Sequence, residues 1–380
     1  MIHCGIYSSR IIQVMELTNW AEIDLSAIYQ NVKTLAKIVN VPMMGVIKAD
    51  AYGFGAVKVA QIETKAGVSA FACARVEEGL LLRKEGITLP ILIFAVSQSD
   101  EIDAAIKNNL ILSINNFDMV DLIEARCECV RTPIEVHLKI DTGMGRFGIF
   151  PEEVPAMLEK LKNCPCLHLD GIYSHYALID DDPDDPFNQL QHERFEKALQ
   201  SCRDVGCTPR WIHFSNSAAA LECPLTRYNL VRIGSAFFGS NPFYYKSFPS
   251  YLKRVITWKA RLISVRLLPA GYGIGYGQTY HLTQDSWVGA VAAGYGDGFL
   301  RNPNNEVLIC GMRFPVIGKV CTDVSMIKLP EKFGAGEEVV LLGKQGNESI
   351  SIEDLASRWA VSRAGVTTGM TSRVKRIYIE

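Results

Sequence analysis

A single lysine ends an apolar stretch in the sequence VIKADAYGFGAV, and it is the first side chain that could do covalent chemistry. Lys48 closes this run, and Asp50, Tyr52 and two glycines follow within seven residues. A lysine amine held in a pocket can form a Schiff base with a carbonyl compound. The alternative is a structural lysine, but we interpret Lys48 as a site residue at the end of a buried strand.

Polar side chains also mark the ends of other short apolar runs. In IEVHLKID, which begins at Ile134, apolar residues alternate with polar ones. One face of this strand therefore packs on helices, and the other carries Lys139 and Asp141 near its end. These two side chains form either a buried ion pair or part of a site. Later apolar runs bring three further groups to the same predicted rim: His175, His213 and Arg232.

The turns after the last two apolar runs offer groups that bind anions. Asn216 and Ser217 lie in the sequence SNS, and Gly234 and Ser235 lie in IGS. In a (β/α)₈ barrel, the loops after strands seven and eight commonly form a phosphate site. Glycine lets the backbone approach closely, while hydroxyl and amide groups bind the anion. A phosphate site together with Lys48 predicts pyridoxal 5′-phosphate as the cofactor.

Eight short apolar runs must position these side chains, and most are separated by helical patterns. The runs are MMGVIKA, AFACAR, PILIFA, LILSI, IEVHLKID, LDGIYSHY, RWIHFSNS and LVRIGSAFFG. Alternating strands and helices predict parallel βα units and an α/β fold, a (β/α)₈ TIM barrel with its site at the carboxyl ends of the strands. The alternative, a doubly wound sheet, usually has a Gly-x-Gly-x-x-Gly turn after its first strand, which this sequence lacks there.

The sequence pattern changes after the barrel, where predicted strands are separated by turns that contain Gly and Pro. We predict a barrel domain over residues 26–252 and a mostly-β C-terminal domain over residues 253–380, joined by an N-terminal strand at about residues 14–25. The first 16 residues resemble a ragged extension and lack the apolar core of a secretory signal. The acidic stretch from Asp180 to Pro186 is predicted to be a solvated loop.

Composition excludes several classes of partner. The 380 residues carry 39 basic and 41 acidic side chains, and this balance indicates neither nucleic-acid binding nor attachment to a membrane. No apolar run approaches the roughly 18–20 residues of a membrane span. Eleven cysteines include the pairs Cys127/Cys129 and Cys164/Cys166, but neither has the second pair that a zinc site needs. We therefore expect no metal, reduced thiols and a cytoplasmic location.

The sequence resembles the alanine racemase family over nearly the whole chain, from Trp20 to Tyr378. VIKADAYGFG is similar to the family's cofactor-attachment signature. Further blocks follow in the family's order: WAEIDLSAIYQNV, HLKIDTGMGRFG, HFSNSAAAL, LVRIGSAFFG, GIGYGQTY, GYGDGFLR and GKVCTDVS. A collinear set of this kind is highly specific, whereas one block alone would be weak.

The resemblance implies a role for each matching residue. Lys48 and Tyr276 would be the two catalytic bases on opposite faces of an amino-acid substrate, and Lys48 would also hold the cofactor. The remaining cofactor-binding positions would be Tyr52, His175, Asn216, Ser217, Arg232, Gly234 and Ser235. Arg146 and Thr322 would contact the substrate. The supporting residues would be Lys139, which is carbamylated in many members, together with His213, Tyr295, Arg301 and Asp323.

The resemblance also implies a head-to-tail homodimer in which the β domain of one subunit completes the site of the other. Three residues depart from the common pattern: Phe54 replaces His, Thr322 replaces Met, and Ser372 lies where some members have a tyrosine that contacts the phosphate. Substrate choice therefore stays open between alanine and serine or a broader set. A barrel-type amino-acid decarboxylase and a non-catalytic cofactor carrier are further alternatives; the Tyr276 block argues against the first and the C-terminal domain against the second.

Overall fold

The computed structural model describes residues 17–95 and 98–380, and the predicted extension over the first 16 residues lies outside them. The chain divides into two compact units. One is Ala27–Lys253, and the other combines residues 17–26 with Arg254–Glu380. Within the described residues, no helix has both the length and the apolar character needed to cross a membrane.

Eight parallel strands form the sheet of the first unit and confirm the predicted barrel. They are β2 (Met43–Val46), β3 (Ala70–Cys73), β4 (Ile91–Ile93), β5 (Ile111–Ile114), β6 (Ile134–Lys139), β7 (Leu167–Tyr173), β8 (Trp211–His213) and β9 (Val231–Ile233). Each strand pairs with the next along the chain from β2 to β8, and β9 pairs with β2. The backbone N–H of Arg232 donates to the carbonyl of Ser215 at 3.0 Å, so the β9 and β8 ends meet. All eight predicted runs are strands.

Helices separate these strands, as the sequence patterns predict. They are α1 (Leu25–Val39), α2 (Ala56–Ala66), α3 (Val76–Lys84), α4 (Ser99–Lys107), α5 (Phe117–Val130), α6 (Val154–Lys162), α7 (Pro186–Asp204) and α8 (Ser217–Glu222). Side-chain caps fix several helix starts: Asn116, Asp185 and Asn216 accept hydrogen bonds from backbone N–H groups of the first turn. Such caps typically stabilise a helix by about 1 kcal/mol, and here they set where the preceding loops end.

The strands of the barrel are apolar on both faces because each is covered by helices outside and filled by side chains inside. Every residue of β2, β3, β4 and β5 is buried. Full burial of a large apolar side chain contributes roughly 1.5–3 kcal/mol. The polar side chains that do point inward, such as His137 and Lys139, are therefore exceptions that need partners.

Antiparallel strands form the second unit, as predicted. They are β1 (Asn19–Asp24), β10 (Ile256–Leu268), β11 (Gly273–Ile274), β12 (Tyr280–His281), β13 (Ser286–Val291), β14 (Glu306–Ile309), β15 (Met312–Ile317), β16 (Ser325–Leu329), β17 (Glu338–Gln345), β18 (Glu348–Ile350) and β19 (Lys375–Ile379). The large sheet has the order β18-β17-β14-β15-β16-β13-β10-β1-β19, while β11 and β12 pair separately. Its one parallel contact joins β1 to β19.

Two short helices, α9 (Ile352–Trp359) and α10 (Arg363–Thr368), complete the second unit. Ser351 caps α9 by accepting from the backbone N–H of Asp354, whose carboxylate accepts from the backbone N–H of Ser351 in return. This reciprocal cap fixes the start of α9 at Ser351. Trp258, Phe299 and Trp359 pack edge to face in the core of this unit.

Candidate active site

Lys48 follows β2 directly, at the carboxyl end of the barrel, and a strained turn sets its direction. The next four residues, Ala49 to Tyr52, have φ between 51° and 56°, the left-handed region. Each such residue other than glycine costs roughly 1–2 kcal/mol. A run of this kind persists only where the surroundings hold it, and it is typical of functional sites.

Two carboxylates hold this turn. Asp50 Oδ1 accepts from the backbone N–H of Ala56 at 2.7 Å, which ties the turn to the start of α2. Glu78 Oε1 accepts from the backbone N–H of Ala49 at 2.6 Å, and its other oxygen accepts from the start of α3. The strained backbone next to Lys48 is therefore bound to two helices.

A cavity of roughly 370 Å³ opens at the carboxyl ends of the strands. It brings together ten of the residues predicted from sequence: Lys48, Tyr52, Lys139, Arg146, His175, Asn216, Ser217, Arg232, Gly234 and Ser235. They come from distant parts of the chain, and the barrel closure places them around one space. The (β/α)₈ fold has its active sites at this end.

Five basic side chains line this cavity and make it suited to a ligand with several negative groups: Lys48, Arg75, Lys139, Arg146 and Arg232. Burial, and next the nearby guanidinium of Arg146, lowers the pKa of the Lys48 amine. Burial, and next the guanidinium of Arg232, lowers the pKa of Lys139 to about 7. Both amines therefore lose their protons more readily than a free lysine, which a lysine base or nucleophile requires.

Three of the residues that are predicted to bind the phosphate lie together on one side of the cavity: Ser217, Gly234 and Tyr52. Ser217 Oγ accepts from the backbone N–H of Gly234 at 3.2 Å. A β-carbon at Gly234 would lie 3.1 Å from the Tyr52 hydroxyl, so a larger residue would crowd that ring. Burial raises the pKa of Tyr52, which therefore keeps its proton as a hydrogen-bond donor. Asn216 caps α8 beside them.

Arg232 is held rigidly beneath the cavity. Nη1 donates to His213 Nδ1 at 2.9 Å, and Nη2 donates to the carbonyl of Ser174 at 2.7 Å and approaches His175 Nδ1 at 3.1 Å. Burial, and next the charge of Arg232, lowers the pKa of both histidines, so both stay neutral. An arginine so fixed presents a permanent charge to a ligand ring.

Sequence reasoning missed several residues of the cavity: Arg75, Phe94, Tyr173 and Asp180. Asp180 corrects the interpretation of the acidic stretch as a wholly solvated loop. Its carboxylate accepts from the side-chain amide of Asn216 at 2.7 Å, so the first residue of that stretch belongs to the site. Tyr173 could have been found because it lies two residues before His175, a spacing that places both side chains on one face of an extended chain, but the acidic composition around Asp180 gives no such signal.

Tyr276 and Thr322 lie in the second unit, on a cavity of roughly 630 Å³ within that unit. Tyr276 begins a tight turn flanked by Gly275 and Gly277, which have φ of 67° and 72°. Its side chain is 66% exposed, so the phenol is free to meet a ligand or another subunit. Thr322 is also exposed.

The supporting residues predicted in the second unit contact one another or their neighbours. Thr322 Oγ1 donates to the hydroxyl of Tyr295 at 2.5 Å, and the guanidinium of Arg301 lies 4.6 Å from the centre of the Tyr295 ring. Asp323 pairs with Arg373 at 2.6 Å, an arginine that sequence reasoning did not single out. These contacts fix the surroundings of Thr322.

Metal-ligand geometry occurs at the other end of the barrel. Among the described residues, Glu135, His168 and Asp170 offer ligand atoms within 4.8 Å of one another, at the amino ends of β6 and β7. The cysteine pairs considered from sequence do not form such a group within the same residues.

Pyridoxal 5′-phosphate fits the residues of the barrel cavity. The amine of Lys48 suits its aldehyde, and the hydroxyls and amides around Gly234 suit its phosphate. The space that a β-carbon at Gly234 would fill is kept open beside Tyr52. The five basic side chains match the negative charge of the cofactor and of an amino-acid carboxylate.

Comparisons with known proteins agree with this fit. The profile "Alanine racemase, N-terminal domain" matches residues 23–242, and "Alanine racemase, C-terminal domain" matches residues 255–378. Alanine racemase of Halalkalibacterium halodurans is 35% identical over 368 residues, which are 94% of each chain. That of Geobacillus stearothermophilus is 36% identical over 365 residues, 94% of this chain and 93% of the relative.

A solved structure shows the same likeness in three dimensions. The crystal structure of alanine racemase from Bacillus anthracis with bound L-Ala-P superposes with a TM-score of 0.91 at 34% identity, covering 96% of this chain and 95% of the other. The match includes both units of the chain. The chain therefore belongs to the alanine racemase family.

Proposed function

We propose that this protein interconverts L- and D-alanine with pyridoxal 5′-phosphate. The observation that carries the proposal is the barrel cavity, where an amine of lowered pKa faces an anion cradle across a cationic space. When bound, the cofactor supplies an electron sink that makes the α-proton of an amino acid removable. Serine or a broader set of amino acids is the second candidate, favoured by the hydroxyl of Thr322 on the substrate side.

Racemisation needs a proton taken from one face of the substrate and another returned to the opposite face. Lys48 is one base, since its lowered pKa leaves more of the amine unprotonated and able to accept a proton than in a free lysine. Tyr276 is the second base. Each such group typically contributes roughly 10²–10⁴-fold to the rate. Arg146 binds the substrate carboxylate, and Arg232 keeps a fixed positive charge against the cofactor ring without giving up a proton.

A panel assay tests this function. Purified protein with added pyridoxal 5′-phosphate is incubated with single L-amino acids, and the products are separated on a chiral column. We expect D-alanine from L-alanine, and no product from Lys48→Ala. Release of carbon dioxide without a D-product would establish the decarboxylase alternative instead.

The second base is supplied by a partner subunit in a head-to-tail homodimer. Tyr276 is 66% exposed on its own subunit, whereas a catalytic base must lie inside a site. This exposure supports an arrangement in which Tyr276 enters the site of a partner subunit. Three further residues of the same partner line the entrance to the site: Arg301, Lys319 and Tyr295. Two-fold symmetry then gives two identical sites, and the interface should be of the obligate class, roughly 2,000 Å² or more.

Subunit mixing tests the dimer. Lys48→Ala and Tyr276→Phe homodimers should each be nearly inactive, whereas their heterodimer has one site with both changes and one site with none. We expect about half the wild-type activity per heterodimer, by this counting of sites. Inactive heterodimers would show that both bases come from the same chain.

A further inference from the structure

A column of buried polar side chains runs along the inside of the barrel below Arg232. Arg232 Nη1 lies 2.9 Å from His213 Nδ1, and His213 Nε2 lies 2.9 Å from His137 Nδ1. His137 Nε2 lies 3.6 Å from Asp170 Oδ2. All four side chains are at least 96% buried. Within the described residues, neither His137 Nε2 nor Asp170 Oδ2 has a hydrogen-bond partner, so these two buried atoms face each other.

Chemistry fixes the direction of every contact in this column. Arginine can only donate, so His213 Nδ1 must accept, and a neutral His213 then carries its proton on Nε2. That proton is donated to His137 Nδ1, which must therefore be unprotonated. His137 then carries its own proton on Nε2, facing the Asp170 carboxylate. A doubly protonated His137 would leave His213 with two acceptor nitrogens and no proton, which a neutral imidazole cannot provide.

The backbone is shaped to make this column. The register of β6 and β7 shifts between Val136 and His137, so that Val136 faces Leu169 while His137 faces Gly171. Asp170 is the extra residue of this bulge, a device that redirects side chains beside functional sites. Gly171 provides the slot for the imidazole, because a β-carbon there would lie 2.6 Å from the His137 ring.

We propose that Asp170 and His137 are positioning residues that hold His213 in the one tautomer able to accept from Arg232, and so hold Arg232 in place against the cofactor. The proposal rests on the proposed function for its kinetic consequence but not for its structural one. Without an acceptor at His137, His213 is free to carry its proton on Nδ1. That N–H would oppose the Arg232 N–H and displace the guanidinium.

Ring-nitrogen NMR of the holoprotein, labelled with ¹⁵N at its seven histidines, tests the tautomers directly. Wild type should show His213 and His137 each protonated on Nε2 alone. A His213 protonated on Nδ1, or doubly protonated, would overturn the proposal whatever any variant does. This result does not depend on activity. It therefore distinguishes an error in the proposed role of the column from an error in the proposed function.

Variants test the consequence for the reaction. His137→Leu removes both ring nitrogens, while His137→Gln keeps one acceptor and one donor. We expect His137→Leu and Asp170→Ala to lower kcat about 10–100-fold, the scale that is typical for loss of a polar group supporting a site residue, with KM within about twofold. His137→Gln should restore most of the wild-type behaviour.

Glu135→Gln is the matched control. Glu135 lies in the same group as Asp170 at the amino end of the barrel but outside the column, so its carboxylate can be neutralised without removing any side chain of the column. We expect wild-type kcat from this variant. The proposal is wrong if Glu135→Gln is as impaired as Asp170→Ala, or if His137→Leu retains wild-type kcat and an unchanged His213 tautomer.

Discussion

Glu63 is a carboxylic acid in a place that the helix pattern reserves for an apolar side chain. It belongs to the buried face of α2, with Ala56, Val59 and Ala60, and is fully buried. Neither carboxyl oxygen has a hydrogen-bond partner among the described residues. A β-carbon at Gly45 would lie 2.2 Å from Glu63 Oε2, so the carboxyl group fills the space beside that glycine in β2.

Burial raises the pKa of Glu63 well above its ordinary value, because the charged form is poorly solvated there. The folded state therefore binds this proton more tightly than the unfolded state does. The free energy of unfolding is greatest below the ordinary pKa and falls as pH rises towards the raised, folded-state pKa. The loss in this window is about 1.4 kcal/mol per pH unit, the linkage slope for one proton.

Glu63→Gln should abolish this part of the pH dependence. Glu63→Met should also abolish it and should raise the free energy of unfolding by about 1–3 kcal/mol, because it removes buried polar atoms that lack hydrogen-bond partners. The measurement is equilibrium urea unfolding of the holoprotein at fixed concentration, at several pH values above 5. Glu85→Gln, an exposed position on α3's C-terminal side, is the control for loss of one carboxylate. Parallel pH profiles for wild type and Glu63→Gln would refute the reasoning.

Three further outcomes are expected. The neutral amine of Lys139, whose pKa burial and Arg232 lower to about 7, should react with carbon dioxide; ¹³C-bicarbonate should give a carbamate signal that Lys139→Ala loses. Thr322→Met should reduce the serine-to-alanine ratio of kcat/KM about tenfold, the scale of a small change in pocket shape; an unchanged ratio would show that Thr322 does not select the substrate. Ala49→Gly should raise the free energy of unfolding in urea by about 0.5–1 kcal/mol, because relief of the left-handed alanine outweighs the greater entropy of glycine in the unfolded chain. A lower free energy of unfolding would contradict the inference that Ala49 is strained.

Much of the barrel could be predicted from sequence because parallel strands are buried on both faces and read as continuous apolar runs. AFAC, over Ala70–Cys73, is buried at every residue. The polar residues at the strand ends could be assigned to one rim for the same reason, since parallel strands share their carboxyl end. Their meeting in one cavity follows from the barrel alone.

Other features had no sequence signal. Alanine does not favour positive φ, so Ala49 and Ala51 gave no sign of the left-handed turn that Asp50 and Glu78 hold in place. The bulge at Asp170 depends on how β6 and β7 pair, which is a property of the folded sheet. Glu63 interrupts an apolar stripe, and local pattern gives no reason for its burial.

Hydrogen exchange at the α-carbon tests the two-base account most directly. L-alanine and D-alanine are incubated separately with Tyr276→Phe holoprotein in D₂O, and deuterium content and chirality are measured together. With Lys48 as the remaining base, one enantiomer should exchange its α-hydrogen with retention of configuration, the other should not exchange, and inversion should fall to about 1% of the wild-type rate or less. Inversion of both enantiomers at the wild-type rate would contradict the account.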